Sequence, residues 1–185
     1  MDDHCLEMLS RPIFQKGICS IVPELQKCMG YDQKNKWHDK NLWDHTVAVI
    51  AGCPKESITR TAALFHDIGK PDCMTEGKDG FLHYKGHGTV SAEIAERVLD
   101  RLCYEKGHAS AILQLIEEHD VFIEETPEFM GDMLRRLGQV QCHRLMRLRR
   151  ADIMAQSPLN REERLAKVDR INEFFKHPAE RSQKQ

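Results

Sequence analysis

A histidine and an aspartate stand side by side where an apolar segment of the chain ends, at His66 and Asp67. Residues 63–65 before them are apolar, and Gly69 and Pro71 after them are typical of the end of a helix. The pattern therefore predicts an imidazole and a carboxylate in the last turn of a helix whose body is buried. A buried carboxylate without a partner is costly, so Asp67 needs a cation close by. A metal ion between the two side chains meets that need.

Other side chains of the kinds that bind metals extend the apolar faces of other predicted helices. Positions i, i+3, i+4 and i+7 of a helix share a face, and this rule places four such side chains in line with apolar residues. They are His45, His87, His119 and Asp152. Taken singly, each histidine is better explained as a core histidine bonded to a backbone carbonyl, and the alternative for Asp152 is a nearby arginine. Five helices that each direct such a group along an apolar face favour a shared metal site.

The types of these side chains narrow the choice of metal. Imidazoles and carboxylates without a thiolate favour Mn, Fe, Co, Ni or Zn, and Mg is also compatible. The predicted ligands of one ion are His45, His66, Asp67 and Asp152. We expect His87 and His119 to hold a second ion with Asp67 as the bridge, or else to bind phosphate or donate a proton. One ion and two ions both remain open at this point.

Size and composition place the chain among ordinary globular proteins. Its 185 residues suit one domain, and 30% charged with 41% hydrophobic residues argues against global disorder. The net charge of −2 provides no general attraction to nucleic acid or to anionic membranes. No apolar run approaches the roughly 20 residues of a membrane span, and the start lacks the features of a signal peptide. Seven scattered cysteines without a Cys-x-x-Cys pair indicate reduced thiols, so we expect a cytoplasmic protein without a membrane partner.

Helical periodicity dominates the chain, which predicts an all-α fold, a single-domain bundle of about seven helices. Asn41 is expected to cap a helix that runs to about Gly52, and Pro54 to open the helix before His66. A helical stripe over 12–29 is expected to break at Pro23. The remaining helices are predicted near 87–103, 108–120, 128–138, 140–156 and 161–176, with a small hairpin near 81–84. The predicted divisions are an N-terminal segment or first helix at 1–20, the main domain at 21–176 and a disordered tail at 177–185.

The order of these residues resembles a known family. His45, then His66 with Asp67, then Asp152 are similar to the motif of the HD-domain superfamily of metal-dependent phosphohydrolases. The resemblance is closest to the HD module of bacterial tRNA nucleotidyltransferases of the CCA-adding and poly(A)-polymerase type. Its matching stretches are residues 22–25, 42–45, 62–71, 83–87 with 91–92, 118–119 and 150–152. The resemblance implies a helical fold and hydrolysis of phosphomonoesters or phosphodiesters, often of nucleotides. Nothing here corresponds to the nucleotidyltransferase head of those larger enzymes, so CCA addition is not implied.

Within that reading, Asp67 and Lys70 are the predicted catalytic residues. Asp67 is expected to bind metal and orient water, while the Lys70 ammonium stabilises charge that develops on phosphate. The alternative for Lys70 is a solvated lysine at a helix end. Candidate substrate-binding residues are His38, His83 and Arg149.

The expected partner is a small substrate that contains phosphate, in the first instance a nucleotide. Arginines are dense between residues 135 and 150, but no aromatic residues lie among them, so nucleic-acid binding is not favoured. The alternative function is a module that senses a nucleotide, or associates with RNA, without turnover. The sequence leaves the oligomeric state open.

Overall fold

The computed structural model describes residues 11–176, which form a bundle of α-helices and one short hairpin. The prediction of an all-α fold is confirmed. The helices are α1 (Pro12–Ile21), α2 (Leu42–Gly52), α3 (Ser57–Phe65), α4 (His87–Arg101), α5 (Lys106–Glu118), α6 (Pro127–Leu137), α7 (Gln139–Ala155) and α8 (Arg161–Lys176). The tail predicted at 177–185 lies outside the described residues, and so do residues 1–10 of the N-terminal segment predicted at 1–20.

Helix α2 lies at the centre of the bundle because it is apolar on nearly every side. Its Leu42, Trp43 and Val49 are buried, and it packs against α3 and α7. Helix α7 also packs against α8, while α4 packs against α5. A histidine on such a helix has no route to solvent, and His45 in α2 is fully buried. The packing therefore directs the imidazole of His45 toward the interior of the protein.

The start of α2 agrees with the sequence, whereas the start of α3 does not. The side chain of Asn41 accepts a hydrogen bond from the backbone N–H of Asp44 at 2.9 Å, so the predicted N-cap is confirmed. The prediction that Pro54 opens the next helix is wrong, since α3 begins at Ser57. The carboxylate of Glu56 accepts the N–H of Thr59 at 3.0 Å and caps this helix. Pro54 lies in the turn before it, where its carbonyl accepts the N–H of Glu56.

The N-terminal stripe also forms as two pieces. Helix α1 ends at Ile21, and after the break a short 3₁₀ helix runs over Pro23–Cys28, as the proline predicted. No residue of α1 is buried, and Ile13 is 81% exposed. The apolar core therefore begins only at Val22.

A two-stranded antiparallel hairpin follows α3, with β1 at Thr75–Glu76 and β2 at Leu82–His83. It is attached to the 31–40 loop, because Leu82 N donates to Lys34 O at 3.0 Å and Asn35 Nδ2 donates to Leu82 O at 3.0 Å. The hairpin and this loop together form one wall above the C-terminal end of α3. Over residues 11–176, no helix is both long and apolar enough to cross a bilayer.

Candidate metal centre

His66 and Asp67 lie in the turn that directly follows α3, and both are buried. The sequence placed them in the last turn of the helix, whereas α3 ends at Phe65. His66 still has helical dihedral angles, and a short 3₁₀ turn follows at Lys70–Asp72. The chain thus continues to turn tightly beyond the helix, which directs both side chains into the middle of the bundle.

Gly69 allows this turn to lie directly on α4. The helix ends before it, as expected, but the φ of Gly69 is −82°, so this glycine does not end the helix as a left-handed cap. A Cβ at Gly69 would lie 2.7 Å from the backbone nitrogen of Ser91 and 3.0 Å from the carbonyl oxygen of His87. The Gly69 N–H also donates to Ser91 Oγ at 2.9 Å. Glycine is required here by the close approach of two backbones, and that approach brings His87 next to Asp67.

The two carboxylate oxygens of Asp67 face two different pairs of histidines. Oδ2 lies 3.1 Å from His66 Nε2 and 3.5 Å from His45 Nε2. Oδ1 lies 3.1 Å from His87 Nε2 and 3.6 Å from His119 Nε2. One ligand atom from each of Asp67, His45 and His66 lies within 4.8 Å of the others, and the same holds for Asp67, His87 and His119. Asp67 therefore lies where a carboxylate bridges two adjacent sites.

The histidines are held with one ring nitrogen directed toward this carboxylate. Nδ1 of His66 lies 2.8 Å from Ala63 O, Nδ1 of His87 lies 2.9 Å from Tyr84 O, and Nδ1 of His119 lies 2.6 Å from Ile116 O. A carbonyl oxygen only accepts, so each Nδ1 must carry the hydrogen and each neutral ring must present a lone pair at Nε2. Histidines that bind metals are commonly oriented in this way.

Two observations show that these lone pairs fit a cation. The Nε2 atoms of His87 and His119 are only 3.1 Å apart, although both Nδ1 atoms carry a hydrogen, so something positive must lie between or beside them. Within residues 11–176, the buried Nε2 atoms of His45 and His66 make no hydrogen bond. Buried polar atoms without partners are rare in proteins and need an explanation. A divalent cation beside either oxygen of Asp67 would satisfy the pair of nitrogens on that side.

Asp152 completes this cluster from α7. Its Oδ1 lies 3.1 Å from His45 Nε2 and 3.9 Å from His66 Nε2. Gln156, one turn further along the chain, donates its Nε2 to both oxygens of Asp152 at 2.9 Å. The amide fixes the orientation of the carboxylate while leaving its charge in place.

The electrostatics of the cluster favour positive charge beside both carboxylates. Burial opposes the ionisation of Asp67, but His66 and Lys70 hold the pKa of its carboxyl well below the usual range. Burial likewise opposes the ionisation of Asp152, yet its pKa is lowered by the adjacent His45. Burial disfavours protonation of His66, but the charge of Asp67 outweighs it and raises the pKa of this imidazole. A site that favours positive charge this strongly also favours a metal ion. The metal ion displaces protons from its ligands when it binds.

Lys70 is buried against the same carboxylate, not solvated at a helix end. Its Nζ lies 2.7 Å from Asp67 Oδ2, 2.9 Å from Gln33 Oε1 and 3.2 Å from His38 Nε2. Burial, and next the charge of Lys70, lower the pKa of His38 to about 3. His38 is therefore neutral and accepts a hydrogen bond from the ammonium.

The three candidate substrate residues occupy different positions. His38 and His83 line a cavity of about 480 Å³ that opens onto Asp67 and Asp152. The imidazole of His83 is exposed at the rim, where its Nε2 lies 3.1 Å from Asp79. Arg149 lies in a smaller neighbouring cavity and donates to Val121 O at 2.6 Å. It therefore holds the loop after α5 and does not line the main cavity.

The neutral residues that support the cluster were not predicted from the sequence. Gln33 accepts from Lys70 and is itself fixed by Tyr84, whose hydroxyl donates to Gln33 O at 2.6 Å. Gln156 was also missed, although its position four residues after Asp152 on one helical face was a usable signal. Gln33 carried no such signal, because it lies in a loop far along the chain from Lys70.

Comparison with known proteins agrees with this geometry. The HD domain family model matches residues 43–156. Over 152 residues the chain is 33% identical to the CC-adding tRNA nucleotidyltransferase of Thermus thermophilus, covering 76% of this chain and 33% of that protein. It is 24% identical to the A-adding tRNA nucleotidyltransferase of Deinococcus radiodurans over 158 residues, covering 71% of this chain and 36% of the other. The chain thus spans about a third of the length of either relative. The match covers His45, His66, Asp67 and Asp152, and the chain belongs to the HD domain family.

Proposed function

We propose that this protein is a metal-dependent phosphohydrolase that cleaves a phosphomonoester or phosphodiester of a nucleotide or another small molecule. The observation that supports it most directly is Asp67, whose two oxygens face the Nε2 atoms of two pairs of buried histidines. The cluster opens into a cavity large enough for a small substrate. A purely structural metal site would be closed on all sides.

The proposed cofactor is one or two divalent ions of Mn, Fe, Co, Ni, Zn or Mg, held by the ligands named above. When bound, such an ion supplies a water of lowered pKa and a Lewis acid for a phosphoryl oxygen. Asp67 and Asp152, which both line the cavity, would hold such an ion at its wall. Lys70, on the cavity wall, supplies positive charge where phosphate oxygens gain negative charge. Its three polar contacts keep the ammonium in one place and limit reorganisation during the reaction.

The proposed domain division is an HD domain over 21–176, preceded by an N-terminal segment and followed by a tail. We also propose a cytoplasmic location. It is supported by the cysteines among residues 11–176, all of which are free thiols. Burial raises the pKa of Cys28 and of Cys53 to about 12, so neither thiol acts as a nucleophile or metal ligand near neutral pH.

The test combines elemental analysis with a panel of nucleotide monoesters, cyclic nucleotides and p-nitrophenyl phosphate. The informative variant is Asp67→Asn, which keeps the shape of the side chain and removes its charge. We expect bound metal to fall at least about 10-fold and hydrolysis at least about 100-fold.

The matched control is Asp169→Asn, at a surface acid paired with Arg150, which should change neither quantity. Full metal content and activity in Asp67→Asn would refute the proposal. Tight nucleotide or RNA binding by the wild type, without product, would instead favour a binding module.

A further inference from the structure

A positively charged side chain on α8 borders the same cavity without an acidic partner. Arg164 lines the cavity together with Asp152 and Gln156. Its polar contact is with the neutral Oε1 of Gln156, and no ion pair to Arg164 occurs within residues 11–176. Its Nη1 is buried and has no hydrogen-bond partner among those residues. The side chain as a whole is half-buried, and the protein leaves part of its hydrogen-bonding capacity unused, so the face that borders the cavity can bind an anion.

Several other arginines among residues 11–176 pair with a carboxylate. Within the part of the chain that the structure describes, the arginines that pair with a carboxylate include Arg101 with Glu24, Arg136 with Glu118, Arg144 with Glu56, Arg150 with Asp169 and Arg170 with Glu125. All five of these pairs lie outside the lining of the main cavity. Arg164 differs from them both in its position and in its partner. Asp120 and Asp152 line the same cavity, but neither forms a direct ion pair with Arg164, so its guanidinium remains available to an anionic ligand.

Two contacts hold the guanidinium in a fixed position beside the cluster. Its central carbon lies 5.1 Å from the ring centroid of Trp37, which limits rotation of the planar group. Trp37 is itself fixed, because its carbonyl accepts the N–H of Ser157 at 2.8 Å. On the other side, Gln156 joins the guanidinium to Asp152 through one amide group. The cation is therefore preorganised, and it lies one side chain away from a predicted metal ligand.

We propose that Arg164 forms an anion subsite that binds a second phosphate group of the substrate, separate from the phosphate that is hydrolysed. This inference rests on the proposed function of the neighbouring cluster and narrows its substrate to small phosphate esters with two phosphate groups. Trp37 acts as a positioning residue that orients the guanidinium. Both residues lie outside the 43–156 segment matched by the family model.

The test uses pairs of esters that share the reacting end and differ only in a distant phosphate. The pairs are adenosine 2′,3′-cyclic phosphate and adenosine 3′-phosphate, each with and without a 5′-phosphate. In the wild type we expect kcat/KM to be at least about 10-fold higher for the 5′-phosphorylated member of the pair that is hydrolysed. Arg164→Gln should abolish that ratio, because it lowers kcat/KM more for the 5′-phosphorylated member than for the other. Arg164→Lys, which keeps the charge but not the planar fork, should retain part of it. Arg150→Gln, which removes a paired surface arginine, should retain all of it.

A binding measurement separates this inference from the proposed hydrolysis. Calorimetric titration with adenosine 3′,5′-bisphosphate and adenosine 3′-phosphate is carried out with metal chelated, so that nothing is turned over. Tighter binding of the bisphosphate that depends on Arg164 would support the subsite even if no ester is hydrolysed in the activity panel, which would refute only the enzyme proposal. The subsite is overturned if the wild type shows no preference for the second phosphate. It is also overturned if Arg164→Gln weakens both members of a pair equally, because Arg164 would then only support the fold.

Discussion

Five positively charged or chargeable nitrogens surround the single carboxylate of Asp67. Four are histidine Nε2 atoms, and the fifth is the ammonium of Lys70 at 2.7 Å. In the absence of a metal ion, Lys70 provides the compensating charge that a buried carboxylate requires. When a divalent cation is bound, Asp67 is satisfied by that cation as well. Lys70 and a bound metal ion would therefore both balance the negative charge of Asp67.

This overlap predicts a stability effect of Lys70→Met that depends on metal. With metal chelated, we expect the free energy of unfolding to fall by about 3 kcal/mol, because a buried charge loses its partner. With a saturating divalent ion, the loss should be clearly smaller, since the ion supplies the missing positive charge. The measurement is urea unfolding of wild type and variant in each condition.

A surface lysine provides the comparison for this experiment. Lys27 pairs with Asp72 where both side chains are partly exposed. Lys27→Met should cost no more than about 1 kcal/mol, equally with and without metal. If Lys70→Met lost the same stability in both conditions, Lys70 and the metal would not share Asp67.

At the residue scale, side-chain type and helical phase were enough to predict that the histidines and aspartates of the cluster lie close together. His45, His87, His119 and Asp152 continue apolar faces, and a buried polar group on such a face must meet others like it. The amides of Gln33 and Gln156 could not be recognised in this way. A neutral amide is common on surfaces, and its importance here depends only on which buried charge it contacts after folding.

At the scale of elements, the positions of most helices followed from periodicity and capping, whereas the junctions did not. Helix α7 was expected at 140–156 and runs over Gln139–Ala155, because its apolar stripe is long. The start of α3 was missed because Glu56 is an unusual cap, and Pro54 is also compatible with a turn. The role of Gly69 was missed as well. Its lack of a Cβ matters to α4, which lies beside it only in the folded protein.

The contact between Gly69 and α4 predicts a large effect of a small substitution. Gly69→Ala should lower the free energy of unfolding by at least about 2 kcal/mol, because its Cβ would meet backbone atoms of Ser91 and His87 that cannot rotate away. Moving His87 away from Asp67 should also lower metal content. Urea unfolding and elemental analysis measure the two effects.

Gly17 in α1 is the matched control for this substitution. A Cβ there would have no neighbour within 4 Å. Alanine also favours a helix relative to glycine, so Gly17→Ala should leave stability unchanged or raise it by up to about 1 kcal/mol. Wild-type stability and metal content in Gly69→Ala would show that α3 and α4 can separate without cost.

At the scale of the whole molecule, charge is balanced locally as well as in total. The net charge is −2, and arginines of α6 and α7 that looked like a basic cluster in the sequence mostly lie beside acids. Arg136 pairs with Glu118, Arg144 with Glu56 and Arg150 with Asp169. The sequence could not show this, because each acid comes from a different part of the chain. The match covers only about a third of each relative named for adding nucleotides to tRNA, so those names do not decide whether this chain binds RNA.

The local balance of charge predicts weak binding to RNA. A 20-nucleotide single-stranded RNA should bind with a Kd weaker than about 10 μM at 150 mM salt, because few arginines are free to replace counterions on phosphates. The logarithm of Kd should rise only gently with the logarithm of salt concentration between 50 and 200 mM. Fluorescence anisotropy of labelled RNA measures both.

The control is Asp169→Lys, which releases Arg150 and adds a cation, and it should bind more tightly with a steeper salt dependence. Submicromolar binding by the wild type with a steep salt dependence would instead mean that these arginines exchange their acidic partners for phosphates. RNA association would then displace hydrolysis of a small ester as the leading function of this chain.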